Sequence, residues 1–277
     1  MIRAILLTAA CALPTQTAHS EAEVKRVLVP YYAQEAMRCE FFLDVDRKQP
    51  LEFIEQPVLI WTNADNYMGA VFVWTFQGRP EMIGCIGSHQ NRPDKSNVFQ
   101  EFHSLSLQAL PTVTLSHEKR WTPSKPGLAM AAVEGAPRPA TSERLRLTQM
   151  RNLAREFDGW MKDGEDVAQL RLLPQPIFRY QSPDRGVVDG AIFALVWKGT
   201  DPEILLVLED RGDNSSERWH YALARFNYRE MWVKRHDKEL WRVPVEGTTE
   251  VYITRLAGEI SLEELMKAAN AAKTTEE

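Results

Sequence analysis

The chain has 277 residues, of which 44% are hydrophobic and 26% charged, and its net charge is −5. That composition belongs to a folded globular protein with room for one large domain or two small ones, and it excludes wholesale disorder. A mildly acidic chain also lacks the broad positive field that nucleic-acid binding uses, so no nucleic-acid partner is expected.

Residues 1–20 read as a signal peptide. Arg3 is followed by an apolar run over residues 4–13, and Ala18 and Ser20 put small residues where a signal peptidase reads. The run is far shorter than the ~20 apolar residues that span a bilayer. Cleavage is expected after Ser20, giving an exported protein, periplasmic or extracellular, with no transmembrane segment. A lipoprotein start at Cys11 is the weaker alternative, because Thr8 suits that signal poorly. Export leaves Cys39 and Cys85. One disulfide between them is an option, but Cys85 lies in an apolar strand, which favours two buried thiols.

Helical spacing of Tyr32, Ala36, Cys39 and Leu43 predicts a helix over residues 31–42. Short strands follow at 51–54 and 58–62, separated by Pro57. Residues 70–76 are almost wholly apolar and rich in β-branched and aromatic side chains, as in a strand buried on both faces; across a turn at 77–80 it forms a hairpin with residues 81–86. Residues 98–107 read as a further strand. Gly135-Ala136-Pro137-Arg138-Pro139 is the clearest linker, and Ser142 caps a predicted helix over 142–161, with Leu145, Met150, Leu153, Phe157 and Met161 on one face. Strands are expected at 170–174, 177–180, 191–197, 203–209, 219–228, 230–235, 239–242 and 251–256, and Ser261 caps a short C-terminal helix.

The second hairpin echoes the first. Gln56-Pro57 matches Gln175-Pro176, Gly69-Ala70-Val71-Phe72 matches Gly190-Ala191-Ile192-Phe193, Pro80-Glu81 matches Pro202-Glu203, and Trp121 matches Trp241, at offsets of 119, 121, 122 and 120 residues. This reads as an internal duplication. The expected fold is α+β: two tandem similar β-rich units of mostly antiparallel strands, each preceded by a helix. Their bounds are 21–134 and 142–256, joined by a linker at 135–141 and followed by a C-terminal helix and frayed tail at 257–277.

The segments LRLLPQPIFRY, VVDGAIFALVWKGTDPE, WHYALARFN and WRVP resemble a family of exported proteins from planctomycete-type bacteria, over most of the mature chain. The resemblance implies bacterial export. That family carries no assigned activity, so the resemblance supplies no catalytic residues.

No G-x-S-x-G elbow, Gly-rich phosphate loop or C-x-x-C pair is present. His117-Glu118 opens like a zinc-protease helix, but Trp121 stands where the second histidine belongs. His89, His103 and His117 are weak metal candidates, since imidazoles on neighbouring strands can converge on an ion; unrelated polar histidines are the simpler reading, and no cofactor is expected. Glu101 and His103, two apart on a strand, share a face and form a candidate acid/base pair, with His220 at a similar place in the second repeat. Arg211-Gly212-Asp213 and Asn214-Ser215-Ser216 read as a turn-rich loop. The leading expectation is a non-catalytic exported protein that binds a ligand or a cell-envelope component. Its site is expected in a cleft between the repeats, lined by Glu101, His103, His220 and Arg225. The alternative is an extracytoplasmic hydrolase using Glu101 with His103 or His220.

Overall fold

A strand that is apolar at every position needs cover on both faces, and the layering of this protein supplies it twice. The structure is a computed structural model that describes residues 20–90, 92, 95–212 and 219–276. The expected signal peptide, apart from Ser20, lies outside the described residues, as do Asp213 and the Asn214-Ser215-Ser216 string. In chain order the elements are α1 (Glu21–Met37), β1 (Glu52–Thr62), β2 (Tyr67–Phe76), β3 (Arg79–Gln90), β4 (Ser96–Ser104), β5 (Val113–Thr114), β6 (Arg120–Trp121), β7 (Ala131–Ala132), α2 (Glu143–Ala154), β8 (Phe157–Asp163), β9 (Asp166–Leu172), β10 (Phe178–Ser182), β11 (Val187–Val196), β12 (Pro202–Asp210), β13 (Trp219–Arg225), β14 (Met231–Arg235), β15 (Lys238–Val243), β16 (Tyr252–Ile260) and α3 (Leu262–Glu276). No helix among the described residues is long and apolar enough to cross a membrane.

The class is α+β with mostly antiparallel sheets. One sheet has five strands in the order β1-β2-β3-β4-β16; the other has nine, in the order β15-β14-β8-β9-β11-β12-β13-β7, with β10 also paired to β11. The halves exchange their outermost strands. β16 returns from the end of the chain to pair with β4, so a boundary at residue 256 falls inside it, and β7 pairs with β13.

Alternation along the central strands sorts their side chains into three cores. Val71 and Val73 of β2, with Ile83 and Cys85 of β3, meet Ile192, Ala194, Leu205 and Val207 of β11 and β12 between the sheets. The even positions Ala70, Phe72 and Trp74 face the other way, onto Leu28, Tyr32 and Ala36 of α1. Ala191, Phe193 and Leu195 likewise face Met150 and Leu153 of α2 and Phe157 and Met161 of β8. Cys39 and Cys85 are both buried and free, in different cores. Burial pushes the Cys39 thiol up to about 12 and that of Cys85 well above its ordinary value.

Three sequence expectations are corrected. The first helix begins ten residues earlier than residue 31. Ser20 and Glu23 form a capping box that starts it, and Pro30 sits inside it rather than at its entrance. The second helix stops at Ala154; residues 157–161 form β8, where Phe157, Gly159 and Met161 are buried alternately with more exposed neighbours, and pairing to β9 and β14 overrides helical spacing. Leu145 is 56% exposed, and Arg146 takes the inward place, its Nε donating to Asp189 Oδ2 at 2.9 Å. The two strands expected around Pro57 are one, β1, with a bulge between Ile54 and Leu59 that accommodates the proline.

Each hairpin tip docks on the other half. Gly78, at φ 82°, lies so close to the Gln181 carbonyl that a Cβ would stand 2.7 Å from it; Gly199, at φ 68°, stands in the same relation to the Thr62 carbonyl, at 2.5 Å. The sandwich therefore has two ends, each made from a hairpin tip of one half and a strand connection of the other.

Candidate site at the open end of the sandwich

The two ends are filled differently. At the first, Arg79 at the start of β3 is 1% exposed. Its Nε donates to Glu209 at 2.9 Å and its Nη1 to Glu81 at 3.1 Å and to the Leu105 carbonyl at 3.1 Å, while the Tyr180 hydroxyl donates to the same Glu209 oxygen at 2.8 Å. Burial alone would lower the Arg79 pKa; Glu209, Tyr180 and Glu81 together leave it raised. This end is closed.

The second end holds a cavity of about 370 Å³ between the sheets. Trp61 (β1), Tyr67 (β2) and Phe99 (β4) form one aromatic wall, and Trp197, Phe226 and Tyr228 line the other. Trp61 and Phe99 have ring centroids 6.2 Å apart, Tyr67 and Phe99 6.1 Å, and His89 stacks on Tyr67 at 4.0 Å. Gly69, paired with Trp61 in the ladder, leaves room for the indole; a Cβ there would stand 2.7 Å from it.

Four carboxyls line this cavity: Asp65, exposed at the rim, and three less exposed ones, Glu101 from β4, Glu203 from β12, and Asp201 just before it. Glu203 is 2% exposed. Its Oε2 accepts from Asn227 Nδ2 at 2.6 Å, and no group among the described residues donates to its Oε1. Glu101 Oε1 accepts from the Tyr252 hydroxyl, and Asp201 is hydrogen-bonded by the Asn63 side chain. All three are held by neutral donors. The cations lining the rim are paired, Lys198 3.0 Å from Asp65 and Arg229 3.0 Å from Asp163, and the charge of Arg229 also opposes the upward shifts of Asp201 and Glu203. Desolvation pushes Glu101 up to about 8, with nearby Glu203 adding to the shift and the Tyr252 bond opposing it. Asp201 is raised by burial and then by the charges of Glu203 and Glu101, and Glu203 is raised chiefly by burial. Carboxyls that titrate close to neutrality in a cleft are a usual mark of a functional site.

The residues expected from sequence are distributed as follows. Glu101 lines the cavity. His103 pairs with Tyr252 in the ladder but is buried, its Nδ1 bonded to the Ser104 carbonyl at 2.7 Å, and desolvation pushes it down to about 4. Arg225 is 2% exposed, lies over the Tyr252 ring at 4.9 Å, and donates to the carbonyls of Asn227, Arg229 and Pro244. It thus shapes the loop that carries Tyr228, although it does not line the cavity itself. His220 pairs with Glu209 and Ala132, away from the cavity. His89 is at the cavity wall and His117 bonds Glu35 at 3.1 Å, so the three histidines stand apart; no group of three or more His, Cys, Asp or Glu among the described residues is placed to hold a metal.

Asp201 and Glu203 were missed by sequence reasoning. A signal was present: the residue before Pro80-Glu81 is Arg79 and the residue before Pro202-Glu203 is Asp201, a cation before one Pro-Glu pair and an anion before the other. No family model, curated protein or solved structure matches the chain.

Proposed function

We propose that this is an exported protein that binds a small ligand in the cavity between its two sheets without transforming it. One observation carries the reading. The cavity is within the size range of small-molecule sites, with aromatic walls and a few convergent polar groups, and one of those groups, Glu203, keeps a carboxylate oxygen unbonded among the described residues. The hydrolase alternative needs Glu101 beside a histidine base. His103 is committed to a backbone carbonyl and His220 is remote, which favours binding. Export rests on the N-terminal segment and on the resemblance to exported planctomycete-type proteins.

We also propose that the halves are a duplicated unit. The reciprocal docking of Gly78 and Gly199 supports it, as do the matched pairs Trp61–Gly69 and Tyr180–Gly190, in which an aromatic ring lies over a glycine on the next strand.

The test is a thermal-shift and tryptophan-fluorescence screen of the mature protein against small metabolites and envelope fragments. The wild type is compared with Tyr228→Ala, a rim change at a residue 46% exposed. A binder raises the melting temperature by mass action, and the shift should shrink in the variant. Shifts of equal size in both, or no shift with any compound, would overturn the reading. Turnover of a bound compound would return the hydrolase.

A further inference from the structure

From the contrast between the two ends of the sandwich, we infer that the cavity takes an ammonium ion carried on an apolar or aromatic body. The inference rests on the ligand-binding reading above and adds the ligand's chemical class.

At the closed end, the buried carboxylates Glu81 and Glu209 are met by the protein's own guanidinium, Arg79. At the open end Glu203 occupies the place of Glu81. Each follows a proline, and each backbone carbonyl accepts from the first residue beyond the neighbouring strand: Leu105 at 2.8 Å for Glu81, Phe226 at 2.7 Å for Glu203. The residue in the place of Arg79 is Asp201. Among the described residues no cation hydrogen-bonds Glu203 as Arg79 does Glu81, and at this open end the strand start has an extra acid in place of a base.

The surroundings suit a cation with an organic body. Among the described residues Glu203 Oε1 is an unbonded acceptor and Tyr252 is the donor to Glu101. A primary ammonium offers three donors to such a set. The aromatic walls supply negative ring faces. The protein already uses them this way at the rim, where Lys198 Nζ sits 4.4 Å from the Trp197 ring centroid and Arg229 lies over Trp197 and Tyr228 at 5.7 and 5.4 Å.

Binding should then be coupled to protons. The groups facing these carboxyls are Tyr252, Arg225 and the buried Cys85 thiol around Glu101, and Asn63, Asn227 and Arg229 around Asp201 and Glu203, with Asp163 beyond Arg229; His89, Lys198 and its partner Asp65 also line the cavity. The raised carboxyls are protonated at the acid end of the neutral range and ionise above it, so an ammonium ligand should bind more tightly as pH rises and should release protons on binding.

The experiment is calorimetric titration of the purified protein with three probes of one shape: 2-phenylethylamine, 2-phenylethanol and 3-phenylpropanoate. We expect the amine to bind at least about tenfold more tightly than the alcohol near pH 8. Its affinity should rise from about pH 6 to about pH 8.5. Its apparent enthalpy should differ between phosphate and Tris buffers through proton release. Glu203→Gln, which keeps shape and burial, should remove about tenfold of the amine's affinity and leave the alcohol's unchanged. Proton release is read on the unaltered chain, so a poorly folded variant does not decide the outcome. Alcohol or carboxylate binding as tight as the amine's would overturn the ammonium assignment while leaving the ligand-binding reading standing. Failure of all three probes would overturn the assignment too, and the wider screen above would then judge the ligand-binding reading by itself.

Discussion

Replacing Arg79 with methionine tests how the two sheets are joined at the closed end. Methionine restores much of the aliphatic volume and removes the charge, leaving Glu81 and Glu209, both 0% exposed, without the cation that bridges them. Removing one member of a buried ion pair costs about 3–5 kcal/mol, mostly because the partner stays buried and unmatched. Two carboxylates are stranded here, which pushes the figure up. Two features pull it down. Arg211 lies 3.2 Å from Glu209 and Arg185 3.3 Å from Glu81, each one-quarter exposed and able to take over. The network is also incomplete, because Arg79 Nη2 and Glu81 Oε2 are buried without a hydrogen-bond partner among the described residues. The expected loss is therefore at the lower end, about 3 kcal/mol. Urea unfolding of the wild type, Arg79→Met, Glu209→Gln and the double variant measures it. The double variant should be less destabilised than the sum of the singles by at least about 1 kcal/mol, since each single strands a group that the other removes. A loss below about 1 kcal/mol for Arg79→Met, or strict additivity, would refute a bridging role.

Gly69→Ala and Gly190→Ala should each cost about 1–3 kcal/mol in thermal unfolding, because the new Cβ would stand 2.7 Å from the Trp61 ring and 2.6 Å from that of Tyr180. Only the first should also weaken ligand binding, since Trp61 lines the cavity. Glu101→Gln should stabilise the protein above about pH 8 by roughly 1–2 kcal/mol and make no difference near pH 4. The carboxyl's folded pKa of about 8 lies above its ordinary 4.5, so the wild type loses stability as pH rises through that interval. The full shift would correspond to about 5 kcal/mol; the lower figure allows for a carboxyl that opens onto a solvent-connected cavity. Parallel stability–pH curves for the two proteins would refute it.

The hairpins were legible in the sequence because burial on both faces demands an unbroken apolar run, and residues 70–74 and 191–196 have one. Which face met which partner was not legible, since every position looks alike when all are apolar. The second helix was overextended for a related reason: Phe157 and Met161 fit helical spacing from Met150 and Leu153, and only the strands that flank β8, distant in sequence, decide otherwise. At the site, Glu101 stood out as a charge on an otherwise packed strand. Asp201 and Glu203 did not, because Asp201-Pro202 reads first as turn chemistry, and the turn masks the acids beside it. Arg225 drew attention as a charge at a matching position, but its role depends on three backbone carbonyls that no sequence pattern records.

Placing Glu101, Asp201 and Glu203 around one cavity works against folding at neutral pH, because burial penalises their charged forms, Glu203 raises Glu101, and both raise Asp201. The closed end shows that this chain has another solution available in the same architecture, an arginine at the strand start that neutralises the carboxylates from within. Had the open end been selected for stability alone, an arginine at position 201 would fill the space and match Glu203. The aspartate there makes the end more acidic and leaves its space to the cavity, so, if the halves are duplicated as proposed, one difference between corresponding positions accounts for both properties. A cation from outside would then do for Glu203 what Arg79 does for Glu81, and the stability given up in the empty protein would return on binding. Asp201→Arg tests that logic directly: it should raise the melting temperature of the ligand-free protein and abolish amine binding together, and a variant that gained stability yet still bound 2-phenylethylamine would separate the two and break the argument.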